Sequence, residues 1–146
     1  MSEKKQGYKL LDHVTDAYLE AWGQTIEEAF SSAAEALFDT MLDVTRVQPK
    51  VAHDVSVEGH DKMELLYNWL EALLLKFEVN EVAYSRFQID PLVSSEASVA
   101  LHARIFGEKY DREKHGSKTE VKAVTYHQMQ IEGGKEGAVV RFLLDL

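Results

Sequence analysis

Thr25-Ile26-Glu27-Glu28-Ala29-Phe30-Ser31-Ser32-Ala33-Ala34-Glu35-Ala36-Leu37-Phe38-Asp39-Thr40-Met41-Leu42 is the stretch from which the fold of this 146-residue chain is read. Thr25 and Glu28 spell a capping box: the hydroxyl takes an orphan N–H of the first turn, and the carboxylate can return to the cap's own amide. Ile26, Ala29, Phe30, Ala33, Leu37 and Met41 then recur at helical spacing, with Glu27, Ser31, Glu35 and Asp39 off the stripe. That pattern predicts an amphipathic helix over about 25–42. A second stripe follows Asp61, with Glu64 three residues on, and runs Met63, Leu66, Tyr67, Leu70, Leu73, Leu74, Phe77. Trp69 and Leu75 widen its apolar face, which suggests burial against a sheet and leaves a second covering surface open.

Around these two helices the chain reads as strand. Tyr18 to Trp22 stops at Gly23, Val51 to Val57 at Gly59, Tyr84 to Ile89 before Pro91, and Val99 to Ile105 near Gly107. Thr119 to Glu132 alternates, with Val121, Ala123 and Thr125 on one side and Lys122, Val124 and Tyr126 on the other. Gly133-Gly134 and Gly137 then bracket a hairpin into Val139 to Leu144. The expectation is an α+β fold: a single domain over 7–146, a mainly antiparallel sheet and two amphipathic helices packed on one face. Residues 1–6 are expected to form a frayed polar tail.

Composition narrows the chemistry. The chain has no cysteine, which excludes disulfides, thiolate metal sites and cysteine nucleophiles. Its formal charge is -9, so strong direct binding to a nucleic-acid backbone is not expected. No signal-peptide pattern and no membrane-length apolar run occur, and a cytoplasmic protein is the expectation. Gly-rich phosphate loops, G-x-S-x-G elbows and H-E-x-x-H helices are missing, and the six histidines are scattered.

Two acidic features lie at opposite ends of the chain. Asp12-His13-Val14-Thr15-Asp16 precedes a strand, and the chain closes Phe142-Leu143-Leu144-Asp145-Leu146. Alternation puts Phe142, Leu144 and Leu146 on one face and Arg141, Leu143 and Asp145 on the other. If the last strand lies beside the 12–16 segment, Asp16, Asp145 and the α-carboxylate of Leu146 share one place. Three such charges repel unless a cation sits among them, and all-oxygen ligation suits calcium, magnesium or manganese. The same residues also read as a turn cap and a solvated strand end, and spacing alone does not choose. Lys118, Glu120, Lys122, Val124 and Tyr126 share a face by alternation, either as a partner-binding surface or as a solvated one.

Together these segments resemble the archease family. The resemblance is carried by Asp12-His13-Val14-Thr15-Asp16, Ala21-Trp22-Gly23 with Thr25 to Phe30, Leu65 to Leu70, Gly107-Glu108-Lys109-Tyr110-Asp111, Thr119 to His127, and Leu144-Asp145-Leu146, in order over nearly the whole chain. It implies the family's strand–helix–strand–strand module (SHS2) with an inserted β/α unit. It also implies a non-catalytic accessory of the GTP-dependent RNA ligase of tRNA splicing, one that promotes guanylylation and turnover of the ligase; the GTP belongs to that partner. The resemblance further implies a divalent cation, calcium first, on Asp16, Asp145 and the terminal carboxylate of Leu146. Asp12, His13 and Lys122 are carried over as candidate contacts in ligase activation. Val14-Thr15 stands where the family usually has Thr-Ala, which moves a hydroxyl by one place and leaves the aspartate spacing intact.

Two other readings are weighed. A general chaperone or modulator of RNA-modifying enzymes, such as a tRNA methyltransferase, would act through the wide apolar face of 61–77, at Trp69 and Leu70. A small metal-dependent hydrolase would use His13 as base beside Asp16 and Asp145, but it lacks a basic clamp for substrate phosphate at that place.

Overall fold

The computed structural model describes residues 5–12, 15–134 and 136–146. The strands are antiparallel, as expected, but they divide into two sheets with the helices between them. In the first sheet the order is β1 (Gly7–Asp12), β2 (Asp16–Gly23), β8 (Gly137–Asp145), β7 (Ala123–Gly134). In the second, β6 (Val99–Lys109) lies between β3 (Val51–Gly59) and β4 (Val82–Ile89), and the short β5 (Val93–Ser94) also pairs with β6.

Helix α1 (Ile26–Met41) packs on β2 and β8 on one side and on β4 on the other, and none of its residues is fully exposed. Its small residues Ala29, Ala33, Ala34 and Ala36 allow close approach on both sides, while Phe30, Leu37 and Phe38 fill the space between. Phe38 stands edge-on to Tyr84 and Phe77 and stacks on Phe87. Helix α2 (Lys62–Asn80) spans β3 and β7. Trp69 is fully buried, and its indole N–H donates to the Phe30 carbonyl at 3.0 Å, tying the two helices together. The second covering surface that the wide stripe left open is therefore the other sheet. Trp69 and Leu70, both fully buried, are not available to a partner.

Both helices begin as their sequences indicate, with one difference. Thr25 accepts from Glu28 N and Asp61 from Glu64 N. The returning carboxylates, however, take the amide one residue before the cap: Gln24 N to Glu28 and His60 N to Glu64. Gly23 is needed at the entry to α1, where a Cβ would fall 2.4 Å from Glu28 Cβ. Gly137 turns the β7–β8 hairpin at a φ of 137°.

The third helix, α3 (Arg112–His115), lies on the connection from β6 to β7 and is fastened by a buried polar knot. Asp111 N–H donates to His115 Nδ1 at 3.0 Å, so Nε2 carries the proton that faces Glu108 at 2.9 Å. Gln48 N–H and Lys114 Nζ donate to the same carboxylate. The Gln48 amide first, then the Lys114 and His115 donors, hold the Glu108 carboxyl down to about 2. Its ionised form is thus favoured in the folded state, and the stability it gives is present above the ordinary carboxylate range and lost as pH falls from about 4.5 towards about 2.

Two outcomes follow. Trp69→Ala should lower unfolding free energy by about 3–5 kcal/mol in urea titrations, through loss of packing and of the helix–helix hydrogen bond. In urea titrations between pH 5 and pH 2, Glu108→Gln should lose less stability than the wild type over that interval. Parallel pH curves would remove the knot from the acid response.

Candidate functional site at the paired chain ends

Antiparallel pairing of β2 with β8 brings the two ends of the chain together. Ala17, Leu19 and Ala21 point into the core with Phe142, Leu144 and Val140, so the alternate residues Asp16, Tyr18, Glu20 and Asp145, Leu143, Arg141 share the outer face. Within this register Asp16 is directly opposite Asp145, Tyr18 opposite Leu143 and Glu20 opposite Arg141.

The Glu20–Arg141 rung shows what opposed side chains on these strands can reach. Arg141 Nε donates to Glu20 Oε2 at 2.7 Å, Lys9 Nζ lies 3.5 Å from the same carboxylate, and Arg141 Nη1 donates to Gln130 at 2.8 Å. Opposite charges therefore bind one another across β1, β2 and β8, and Arg141 reaches β7 through Gln130 and, at 3.8 Å, Glu132. At the end rung the charges are alike, an arrangement that is unfavourable across paired strands. Neither Asp16 nor Asp145 has a hydrogen-bond or ion-pair partner for its carboxylate among the described residues.

Asp145 is fixed on its other side as well. It is in register with Ala123 of β7, and its carbonyl accepts from Lys122 N–H at 2.7 Å. Leu146 is half-buried and packs against the core. It lines a cavity of about 380 Å³ with Tyr8, Ala17, Ala36, Asp39 and Lys118. Asp39 anchors that cavity, accepting from Tyr8 Oη at 3.2 Å and from Lys118 Nζ at 3.2 Å. Burial and the Asp39 carboxylate push the Tyr8 hydroxyl well above the ordinary tyrosine range. In the sequence Tyr8 and Asp39 carry no site role, and Lys118 stands only on an expected strand face shared with Glu120 and Lys122. The polar Asp39 off an apolar stripe was the available signal, but what it pairs with depends on tertiary folding.

The three expected ligand positions thus lie together: Asp16 faces Asp145, and Leu146 follows it. Among the described residues no three His, Asp or Glu side chains converge on one point, so a cation here would need the terminal carboxylate as its third anionic donor. The donor set, all hard oxygen, fits a calcium- or magnesium-like ion. Asp12 ends β1 opposite Tyr18, and its side chain lies outside the described residues, as does His13. Lys122 is exposed and reaches this end through its backbone.

The expected strand over 119–122 is not formed; β7 begins at Ala123. Lys118 instead bonds Met41 and Asp39 at the carboxyl end of α1. Val121 and Val124 are both buried, so alternation does not run through 118–126, and the shared face of Lys118, Glu120 and Lys122 is not formed. The strand also bulges between Thr125 and Gln130, where Gln128 takes a φ of 59° and its carbonyl accepts from Tyr18 Oη.

Comparison with known proteins agrees with this architecture over nearly its full length. The Archease protein family (MTH1598/TM1083) matches residues 8–146. The chain is 35% identical over 141 residues to the protein archease of Sulfurisphaera tokodaii, covering 97% of this chain and 99% of that one. It is 40% identical over 126 residues to the protein archease of Pyrococcus abyssi, covering 86% and 88%. The solution structure of Methanobacterium thermoautotrophicum protein 1598 matches with a TM-score of 0.83 at 31% identity, over 96% of this chain and 99% of that one. The crystal structure of a Thermotoga maritima archease, described as a possible chaperone, shares the fold with a TM-score of 0.57 at 16% identity, over 94% and 96%. With agreement from Tyr8 to the terminal Leu146, through both of the strands that carry the paired aspartates, the chain belongs to the archease family.

Proposed function

We propose that this chain is a non-catalytic accessory of the GTP-dependent RNA ligase of tRNA splicing, and that its acidic end promotes guanylylation of the ligase. The observation that carries the reading is the pairing of Asp16 with Asp145 on one face, two like charges held opposite each other with no protein cation between them among the described residues. Such a pair is maintained at a cost unless something positive is shared across it.

Asp16, Asp145 and the terminal carboxylate of Leu146 would hold a divalent cation, calcium first, with magnesium or manganese as alternatives. When bound, such an ion supplies positive charge to phosphate oxygens. The remaining residues keep this end rigid. Lys122 N–H pins the Asp145 backbone, the Glu20–Arg141 rung stiffens the strands, and Leu146 seats the tail. A rigid acidic tip presented to a ligase that itself handles GTP would favour the ligase conformation competent for nucleotidyl transfer. The GTP and the histidine that is guanylylated belong to the ligase. The overall charge of -9 suits electrostatic steering towards a basic RNA-binding enzyme, weakening with salt. No described helix is long and apolar enough to cross a membrane, and a cytoplasmic setting fits the reading.

A chaperone role acting through α2, for instance on a tRNA methyltransferase, is less well supported, because Trp69 and Leu70 face the core and not solvent. The test is guanylylation of purified ligase with and without this protein. Asp16→Ala and Asp145→Ala should bring the rate to within about twofold of the unstimulated ligase. Full stimulation by both variants would take the acidic end out of the mechanism.

A further inference from the structure

Away from the paired aspartates, the molecule gathers four cations around one cleft. Lys50, Lys109, Arg112 and Lys114 line a cavity of about 550 Å³ with Glu108, Tyr110 and Asp111. In a chain of net charge -9 this concentration runs against the overall balance. Its two acids are already engaged. Glu108 is only 8% exposed and binds Gln48 N–H, His115 and Lys114, while Asp111 Oδ1 accepts the Glu113 N–H at 3.0 Å.

Glu108 also draws two of the cations towards a common point, Lys114 Nζ at 2.8 Å and Lys50 Nζ at 3.6 Å. Lys109 and Arg112 are exposed, and their side chains have no hydrogen-bond or ion-pair partner among the described residues. The cleft therefore offers one guanidinium and one ammonium free, beside two ammoniums held in place. A phosphate fits this set: its separate oxygens can take a bidentate guanidinium and several point charges at once.

The cleft and the acidic end are neighbours of the same structural feature, the carboxyl end of α1. Asp43 N–H donates to the His115 carbonyl, Lys118 N–H donates to the Met41 carbonyl, and four residues further on Lys122 N–H donates to Asp145. The segment from Tyr110 to Lys122 thus crosses one end of the molecule, with the cationic cleft at its start and the paired aspartates at its finish.

We propose that the cleft of Lys50, Lys109, Arg112 and Lys114 binds a phosphate of an RNA strand. The choice of RNA rests on the ligase reading above, in which this end of the molecule meets an RNA-binding enzyme. Binding by the isolated chain is weak, because the surrounding charge opposes a polyanion; the cleft guides a strand that the ligase already holds.

Amide NMR of the full chain tests this. The probes are a short single-stranded RNA with only internal phosphodiesters, the same RNA carrying a 3′-phosphate, and inorganic phosphate alone. Either RNA should shift resonances confined to Gln48, Lys50 and 108–116, and the effect should fade with added salt. A Lys109→Ala/Arg112→Ala double variant, with both changes at exposed positions, should keep its other resonances in place and bind about fivefold or more weakly. Response to both RNAs marks the strand backbone as the ligand, and response only to the phosphorylated RNA marks its terminus. No shift with either RNA, shifts undiminished in the double variant, or shifts with inorganic phosphate alone would overturn the proposal. The ligase reading would be untouched by such a failure, since it is measured by guanylylation with the Asp16 and Asp145 variants.

Discussion

The antiparallel register of β2 on β8 sets Asp16 opposite Asp145 and so determines what the acidic end can be. Two strands from opposite ends of the chain share the middle of one sheet, with β1 outside one and β7 outside the other. Such pairing is costly in loop-closure entropy, and it is held by the buried faces of both strands, by the Glu20–Arg141 contact and by the backbone bond from Lys122 to Asp145. A one-residue slip of β8 would turn Leu144 and Phe142 out of the core and Asp145 into it, away from Asp16. The apolar residues that stabilise the sheet therefore also orient the charges of the acidic end.

The helices contribute by being covered on two sides. An amphipathic helix on a single sheet leaves one flank wet, whereas α1 is enclosed and α2 buries Trp69 completely. That enclosure fixes the carboxyl end of α1, where Asp39 receives Tyr8 and Lys118, and where the segment carrying α3 is tied by Met41 and Asp43. The acidic end is thus assembled from local anchors on the enclosed middle layer.

Much of this was legible in the sequence. Thr25 and Asp61 announce their helices because capping is local chemistry, and the alternation of Phe142, Leu144 and Leu146 assigns Asp145 to the outer face because strand period is local too. The division into two sheets was not legible, since periodicity reports how much of a helix is buried but not what buries it. Residues 119–122 alternate like a strand, yet Lys118 is drawn to Asp39 and the segment serves as a connection. The bulge at Gln128 likewise interrupts a pattern that reads as continuous. That Asp16 and Asp145 meet could be supposed only from likeness to a family, because nothing in either segment specifies its distant partner.

The central claim is that the opposed aspartates share a cation, and thermal unfolding with and without calcium tests it most directly. In chelator, Asp145→Asn should melt at or slightly above the wild type, since one of two repelling charges is gone. With calcium added, the wild type should rise in melting temperature with ion concentration while Asp145→Asn stays where it was, reversing their order. Equal response of the two proteins to calcium, or a wild type that ignores the ion and its magnesium and manganese counterparts, would contradict the account.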